Sequence, residues 1–199
     1  MENVHSSFSS FREKTLEHIF VGDCLRRLWV RGIPDAEVLR AEVDGAGYDI
    51  VFEVRGIHRH VQLKASHRSG MAASQSINGK LAAKPSGCVI WIRFDDNLEL
   101  GPFYWFGGLP GEPLPSVLGL RRAKHTKANA EGVKAQRRNS FIIPRSHFTR
   151  IETLDDVLEQ MFGRERLARS AQETIFVQSE LEDPRMGAPM AQAPPRPDQ

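Results

Sequence analysis

The chain has little cysteine: Cys24 and Cys88 are the only two among its 199 residues. Two cysteines cannot build a disulfide framework, and no group of cysteines and histidines has the spacing of a zinc site. Because structural disulfides are a feature of oxidising compartments, this cysteine usage predicts a protein of the reducing cytoplasm.

Long apolar runs are also missing, and no stretch approaches the ~20 residues needed to cross a bilayer. The N-terminus, Met-Glu-Asn-Val-His-Ser-Ser, shows no basic region followed by an apolar core, so no secretory signal is visible. No internal repeat is found. Hydrophobic residues make up 40% of the chain and charged residues 26%. These values are typical of a globular protein without a membrane segment, and the length suffices for one domain with a sizeable core.

Neither sign of charge predominates over the whole chain, whose formal net charge is +2. The distribution is uneven, however, because residues 121–150 hold nine basic side chains against one acid, Glu131. Such a segment suits a polyanion such as a nucleic-acid backbone, and it equally suits a solvated, mobile loop. The basic residues are Arg121, Arg122, Lys124, Lys127, Lys134, Arg137, Arg138, Arg145 and Arg150.

Composition divides the chain into four parts. Residues 1–9 are expected to be flexible, and residues 10–163 to form a single domain, with a core over about 10–106 and the basic segment at 121–150. Residues 164–182 are compatible with a polar helix that has little to bury. Residues 183–199 hold five of the twelve prolines and no aromatic side chain, which predicts a disordered tail.

Periodicity predicts the elements of the domain. A helix over about 10–31 has an apolar stripe with Glu17 at its edge. A short helix over 71–83, closed by Pro85, leads to a strand at 88–94 that is apolar on both faces until Arg93. An aromatic strand at 103–106 follows, and Thr153 is placed to cap a last helix.

Residues 47–65 form the most informative stretch, a predicted β-hairpin in which apolar and polar side chains alternate. With Arg55 and Gly56 as the turn, Ile50 faces Val61 and Asp49 faces Gln62. Lys64, two residues beyond Gln62, shares that face. This register is a hypothesis, and it places a carboxylate, an amide oxygen and an ammonium group together beside an apolar sheet.

This constellation of Asp49, the run Gln62-Leu63-Lys64 and the preceding helical Glu17 resembles the PD-(D/E)xK nuclease superfamily, over about residues 8–95. The resemblance implies an α/β fold with a restriction-endonuclease-like core, a mixed β-sheet flanked by helices in the order αβββαβ. It also favours a strand over 37–43, which the sequence leaves open as helix or strand. Gln62 stands where most members have Glu or Asp. The Gln-x-Lys variant is found in branches that resemble modification-dependent restriction enzymes and uncharacterised bacterial nuclease domains.

The resemblance implies a metal-dependent endonuclease that hydrolyses phosphodiester bonds in DNA, in restriction or in defence against foreign DNA, with RNA not excluded. Glu17, Asp49, Gln62 and Lys64 would be the catalytic residues. The first three would bind Mg²⁺ or Mn²⁺, whose preferred ligands are oxygens. Many members act as homodimers, and a partner protein could supply specificity. In the basic segment, contacts to nucleic acid would come from Arg121, Arg122, Lys124, Lys127, Lys134, Arg137 and Arg138.

Two alternatives stay open at this stage. One is a nuclease-like module that binds nucleic acid with weak or no catalysis, since glutamine at position 62 removes a negative charge from the site. The other is a protein-interaction module whose basic segment binds an acidic partner. Dependence of cleavage on Mg²⁺ separates the enzyme from both, and a steep salt dependence of DNA binding separates the first alternative from the second.

Overall fold

The computed structural model describes residues 8–41, 45–124 and 136–168, which belong to one compact unit ending at Ala168. The predictions for residues 1–7, for 169–182 and for the 183–199 tail lie outside the described residues.

Three α-helices, nine strands and two 3₁₀ helices occur in the described residues. They are helix α1 (Ser9–Val30), strands β1 (Ala36–Arg40), β2 (Ile50–Val54), β3 (Ile57–His67) and β4 (Ser74–Asn78), a 3₁₀ helix (Gly79–Ala83), strands β5 (Gly87–Phe94), β6 (Leu100–Gly107), β7 (Arg122–Lys124) and β8 (Gln136–Pro144), a second 3₁₀ helix (Arg145–His147), strand β9 (Thr149–Ile151), and helices α2 (Leu154–Phe162) and α3 (Arg164–Ala168).

A six-stranded sheet in the order β1-β2-β3-β5-β6-β9 forms the centre of the fold. Strands β3 and β5 are parallel, and every other neighbouring pair in this sheet is antiparallel. Helices α1 and α2 pack on the sheet, so the predicted mixed α/β fold with flanking helices is confirmed. The strand favoured for 37–43 is β1, although it spans Ala36–Arg40.

Both faces of the six-stranded sheet are covered, and strand β5 is therefore buried along its whole length. On one face, which we call the helix face, Ile50, Phe52, Val61, Cys88 and Ile90 pack with α1 and α2. On the other, which we call the outer face, Val89, Trp91 and Phe106 pack against a second sheet of order β4-β8-β7, mainly through Ile77 and Ile143. The two clusters make the buried strand predicted at 88–94 the middle layer of the protein.

The predicted helix over 71–83 is wrong. Its first half is strand β4, which pairs with β8, and its second half is a 3₁₀ helix. The partner strand lies more than sixty residues later in the chain, so no local pattern could indicate the pairing. The Asn78 side chain ends the strand, because its Oδ1 accepts a hydrogen bond from the Lys80 amide and starts the 3₁₀ helix.

The aromatic strand predicted at 103–106 lies inside the larger strand β6, between β5 and β9. Phe103, Trp105 and Phe106 are buried in the two cores. This strand therefore belongs to the interior of the domain.

The helices on the helix face are held at their ends by polar contacts. Arg27 of α1 and Arg31, the residue that follows the helix, form ion pairs with Asp155 in the first turn of α2. Thr153 caps α2 as predicted, accepting a hydrogen bond from the Asp156 amide through its hydroxyl. In the described ranges, no helix has the length and apolar character needed to cross a bilayer.

Gly47 and Gly56 flank strand β2 and give a matched test of the fold. Both have positive φ, so an alanine at either position costs at least ~1 kcal/mol of backbone strain. A Cβ at Gly47 would also lie 2.9 Å from the Leu81 amide nitrogen, whereas at Gly56 it would meet open space. We expect Gly47→Ala to lower the free energy of unfolding by about 1 kcal/mol more than Gly56→Ala, measured by urea denaturation. Equal losses would contradict the close packing of the 3₁₀ helix on residue 47.

Candidate functional site

The hairpin has the predicted register. Strands β2 and β3 pair with Val54 opposite Ile57, Phe52 opposite Arg59 and Ile50 opposite Val61, and Arg55 and Gly56 form the turn. Alternation along each strand then decides the faces. Since Ile50 and Val61 lie in the core on the helix face, Gln62 and Lys64 belong to the outer face.

Asp49 lies just before strand β2, and its carboxylate is anchored on the neighbouring strand. The regular pairing ends at Ile50 and Val61, and the Asp49 amide donates to the Val61 carbonyl oxygen at 2.9 Å. Oδ2 of Asp49 accepts a hydrogen bond of 2.7 Å from the Leu63 amide. That amide lies between Gln62 and Lys64 in the chain, so the carboxylate is held against the backbone of the Gln-x-Lys motif.

Gln62 is buried, with 4% of its surface exposed. Its Oε1 accepts a hydrogen bond of 3.0 Å from the Asn78 amide, at the end of strand β4. The second sheet therefore contacts the motif directly, and the orientation of the amide oxygen is fixed by a backbone donor. A carbonyl oxygen has two lone pairs, so the oxygen keeps acceptor capacity after this bond.

Lys64 is half-buried on β3, next to Trp91 of β5. Its ammonium group has neither a hydrogen bond nor an ion pair with any residue that the structure describes. An ammonium group carries three donors and a full charge. Within the described residues, the site thus presents an ammonium group without a bonded partner two residues from Gln62.

Glu17 lies on helix α1, over the helix face, and is 7% exposed. Both of its oxygens are engaged: Oε2 with Lys14 at 2.8 Å and Oε1 with Arg40 at 3.0 Å. Arg40 ends strand β1 opposite Ile50, one residue from Asp49. Glu17 is therefore connected to the Asp49 end of the hairpin through Arg40, and binding a metal ion directly would require it to give up that ion pair.

Burial by itself raises the pKa of Glu17, but the hydrogen bonds and charges of Lys14 and Arg40 outweigh it and hold the pKa below its ordinary value. The residue is therefore a carboxylate at neutral pH, as a role in a cation site requires.

The other acidic and histidine side chains of the hairpin have partners outside the candidate site. Glu53 pairs with His58 at 2.7 Å, as its position opposite that residue suggests. His60 Nδ1 lies 2.8 Å from the Pro85 carbonyl oxygen, and its ring contacts Tyr48. These partners explain both histidines without a ligand.

The basic segment is described only in part. Arg121 and Arg122 are exposed at the start of β7. Lys127 and Lys134 lie outside the described residues, as do the side chains of Lys124, Arg137 and Arg138.

The hairpin offers few oxygen ligands for a metal ion. Across the described part of the chain, no group of three or more His, Cys, Asp or Glu side chains is placed to hold a metal ion. Mg²⁺, however, is commonly bound through one or two carboxylates, waters and the phosphates of its substrate. On the outer face, Asp49 and the Gln62 oxygen could supply one charged and one neutral ligand. Glu17 is not brought to them, because it lies on the helix face of the sheet, where it pairs with Arg40 opposite Ile50.

Sequence reasoning missed two residues beside this site, Asn78 and Lys80. Asn78 orients Gln62 through its backbone, and the Lys80 ammonium donates to the Gly45 carbonyl oxygen at 2.7 Å, which ties the 3₁₀ helix to the turn before Asp49. Both lie in the region predicted as a helix. Only the Asn78-Gly79 pair, a common turn signal, could have pointed to the strand end.

No protein-family model matches the chain, and no curated protein matches it. Among solved structures, it is similar to Hjc, a Holliday junction resolvase from Archaeoglobus fulgidus, with 13% identity over 70% of this chain and 98% of that one and a TM-score of 0.34. It is also similar to the bacterial homing endonuclease I-Ssp6803I, with 26% identity over 45% of this chain and 61% of that one and a TM-score of 0.27. We base the proposed function on the geometry of the site.

The ion pairs of Glu17 predict a pH dependence of stability. A carboxylate whose pKa is lowered by folding stabilises the protein fully above its unfolded pKa of 4.5, and this contribution is lost as the pH falls through the folded value. We expect Glu17→Gln to cost about 1–2 kcal/mol at pH 7 and progressively less below pH 4.5, measured by urea denaturation across this range. Glu13→Gln, an exposed position on the same helix, is the control. A cost that does not change with pH would contradict the role of the charge.

Proposed function

We propose that this protein is a metal-dependent nuclease that hydrolyses phosphodiester bonds in DNA, with its active site on the β2–β3 hairpin. The observation that carries the proposal is the hydrogen bond from the Leu63 amide to Asp49 Oδ2. It holds the carboxylate against the peptide between Gln62 and Lys64, and strand alternation assigns these two side chains to the same face of the sheet.

The three side chains have separate roles. Hydrolysis of a phosphodiester forms a bond from a water oxygen to phosphorus and breaks the bond to the leaving oxygen, while negative charge builds on the phosphoryl oxygens. Lys64 offers a fixed positive charge and three donors for that developing charge and for orienting the attacking water. Asp49 is an anionic acceptor whose position is set by the Leu63 amide. Gln62 adds a neutral oxygen oriented by the Asn78 amide.

Asp49 and Gln62 would hold a Mg²⁺ or Mn²⁺ ion without Glu17, which lies on the helix face and pairs with Arg40. When bound, such an ion supplies charge stabilisation for the phosphate and a more acidic water. The single fixed carboxylate predicts weak binding of the ion without DNA, since the substrate phosphate completes the ligand set.

The test compares cleavage of supercoiled and linear DNA, with an RNA duplex alongside, in Mg²⁺ and in Mn²⁺. We expect Asp49→Asn and Lys64→Met each to reduce cleavage by at least about 10²-fold. Two matched controls keep near wild-type activity. Glu53→Gln removes a carboxylate of the same strand that is paired with His58. Lys84→Met removes another half-buried lysine, whose ammonium lies over the Tyr48 ring.

All variants are checked for native secondary structure by circular dichroism. Metal-dependent cleavage that survives in both folded site variants would show that the hairpin is not the active site. Cleavage of the RNA duplex in preference to DNA would move the substrate class from DNA to RNA.

A second candidate function is nucleic-acid binding without cleavage. It is favoured by the position of Gln62, whose oxygen already accepts from Asn78 and whose surface is almost fully buried. In that case the role of Gln62 is structural, because its hydrogen bond with Asn78 joins the second sheet to the six-stranded sheet. DNA binding by a wild-type protein that cuts in neither Mg²⁺ nor Mn²⁺ would support this candidate over the enzyme.

Gln62→Glu separates the two candidates, because it adds a negative charge at the proposed metal ligand and keeps an acceptor for the Asn78 amide. If Gln62 binds the ion, the Mg²⁺ concentration for half-maximal cleavage should fall by roughly tenfold, equivalent to ~1.4 kcal/mol. The measurement is a Mg²⁺ titration of the cleavage rate. Gln75→Glu on strand β4 is the control for added charge. A loss of stability with no change in Mg²⁺ dependence would assign Gln62 a structural role only.

A further inference from the structure

A cluster of arginines lines a cavity beyond the end of strand β3. The cavity has a volume of about 380 Å³, and none of the described residues that line it is acidic. Its arginines come from four different parts of the chain: the loop after β3, strand β5, the second 3₁₀ helix and strand β9. We call this cavity the arginine pocket; it is lined by Arg68, Arg93, Arg145 and Arg150 together with Ser69, Gly70, Met71, Pro102 and Tyr104.

Two of the four arginines have carboxylate partners. Arg68 pairs with Asp95 at 3.0 Å, and Arg150 pairs with Glu152 at 2.8 Å. The Arg150 pair is exposed and such pairs contribute little to stability, so its guanidinium group can turn to another anion at small cost. Arg68 is held more firmly, because it also donates to the carbonyl oxygens of Glu99 and Gly101, and it contributes a fixed charge to the pocket.

The other two arginines lack an acid partner in the described part of the chain. Arg93 is 5% exposed, and its Nη2 donates to the carbonyl oxygens of His67, Arg68 and Gly70. The Arg145 side chain makes neither a hydrogen bond nor an ion pair with any described residue. A buried guanidinium held only by carbonyl oxygens retains its full positive charge, which draws an anion to the pocket.

Electrostatics supports the same conclusion. Burial lowers the pKa of Arg93 most, the nearby charge of Arg145 lowers it further, and Tyr104 opposes the shift. Arg93 and Arg145 both line the pocket and carry charges of the same sign. An anion between them would relieve the repulsion of like charges and form charge-assisted hydrogen bonds with planar guanidinium groups, which suit phosphate oxygens.

The pocket lies on the same face of the sheet as the proposed active site. In the parallel pairing of β3 with β5, Lys64 is next to Trp91 and Ser66 is next to Arg93. The Arg93 guanidinium lies over the Trp91 ring, and the Trp91 indole donates to the Ser66 hydroxyl. Ser66, the neighbour of Arg93, thus lies two residues, or about 7 Å, farther along β3 than Lys64.

That separation matches a nucleic-acid strand. One strand of a duplex carries a phosphate about every 3.4 Å along the helix axis, so a strand with one phosphate at Lys64 has further phosphates within reach of the arginine pocket. We propose that the arginine pocket binds a second phosphate group of the same nucleic-acid strand that the hairpin site processes. The identity of the ligand as nucleic acid rests on the proposed function, whereas the presence of a phosphate site rests on the pocket itself.

The experiment measures binding of the full-length protein to a fluorescent DNA duplex by anisotropy, in EDTA so that no cleavage occurs. Arg145→Ala and Arg150→Ala are combined, because neither side chain is buried and both can be removed without opening the core. We expect the dissociation constant to rise by about tenfold and the slope of log K against log salt to fall by about 1. The control combines Arg26→Ala and Arg164→Ala, two exposed arginines paired with carboxylates on the helices.

The control variant loses the same number of positive charges, but neither of its arginines lines the arginine pocket. We therefore expect its dissociation constant to change by less than about twofold. Equal effects of the two double variants would overturn the proposal, since binding would then follow net charge alone. Circular dichroism and thermal unfolding show that both variants fold.

A second arm identifies the source of the phosphate. Duplexes with a 5′-phosphate and with a 5′-hydroxyl are compared, and inorganic phosphate is used as a competitor. Tighter binding of the 5′-phosphorylated duplex, lost in the pocket variant, assigns the site to a terminal phosphate. Equal binding of both duplexes, weakened alike in the pocket variant, assigns it to an internal phosphate.

Failure of this inference is distinguishable from failure of the proposed nuclease. A wild-type protein that does not cut, but whose DNA binding depends on Arg145 and Arg150, retains the phosphate site and loses the active site. Cleavage that depends on Asp49, with DNA binding unchanged in the pocket variant, gives the opposite result.

Discussion

The hydrogen bond between the Leu63 amide and the Asp49 carboxylate is the contact on which the candidate site depends. Strand pairing brings β2 beside β3, but the regular ladder stops at Ile50 and leaves the next backbone donor of β3 without a strand partner. A side-chain oxygen takes that donor instead. The same bond gives the Leu63 amide at the end of the β2–β3 pairing an acceptor, and it fixes a negative charge against the Gln-x-Lys motif. Stability and the proposed chemistry therefore share one interaction.

Burial of both faces of the central sheet decides where polar groups can lie. Strand β5 is buried throughout, and its neighbour β3 places Gln62, Lys64 and Ser66 on the outer face, where the second sheet meets the first. Gln62 is enclosed there and bonded to Asn78, whereas Lys64 is half-buried beside Trp91. A charge in that position is costly unless an anion arrives, which is the condition a phosphate-processing site requires.

Charge changes along this outer face in a direction that suits a strand of nucleic acid. The acidic group Asp49 lies at the start of β2, Lys64 follows on β3, and the arginine pocket lies past the end of β3. A metal ion at the acidic end and guanidinium groups at the basic end would both contact phosphates, one at the reacting centre and one beyond it. Separating the two proposed functions would let the pocket contribute affinity without crowding the reacting phosphate.

The sequence by itself determined the hairpin, its turn and its register, because period-two alternation around Gly56 allows one register that buries the apolar residues. It also determined the buried strand at 88–94 and the Thr153 cap, which are local signals. Only the tertiary structure decided that 74–78 pairs with β8, that Glu17 is held by Arg40, and that Asn78 orients Gln62. The arginine pocket likewise joins residues up to about eighty positions apart. Such contacts join residues that are far apart in the chain. Local propensity does not predict them, because it depends only on neighbouring residues.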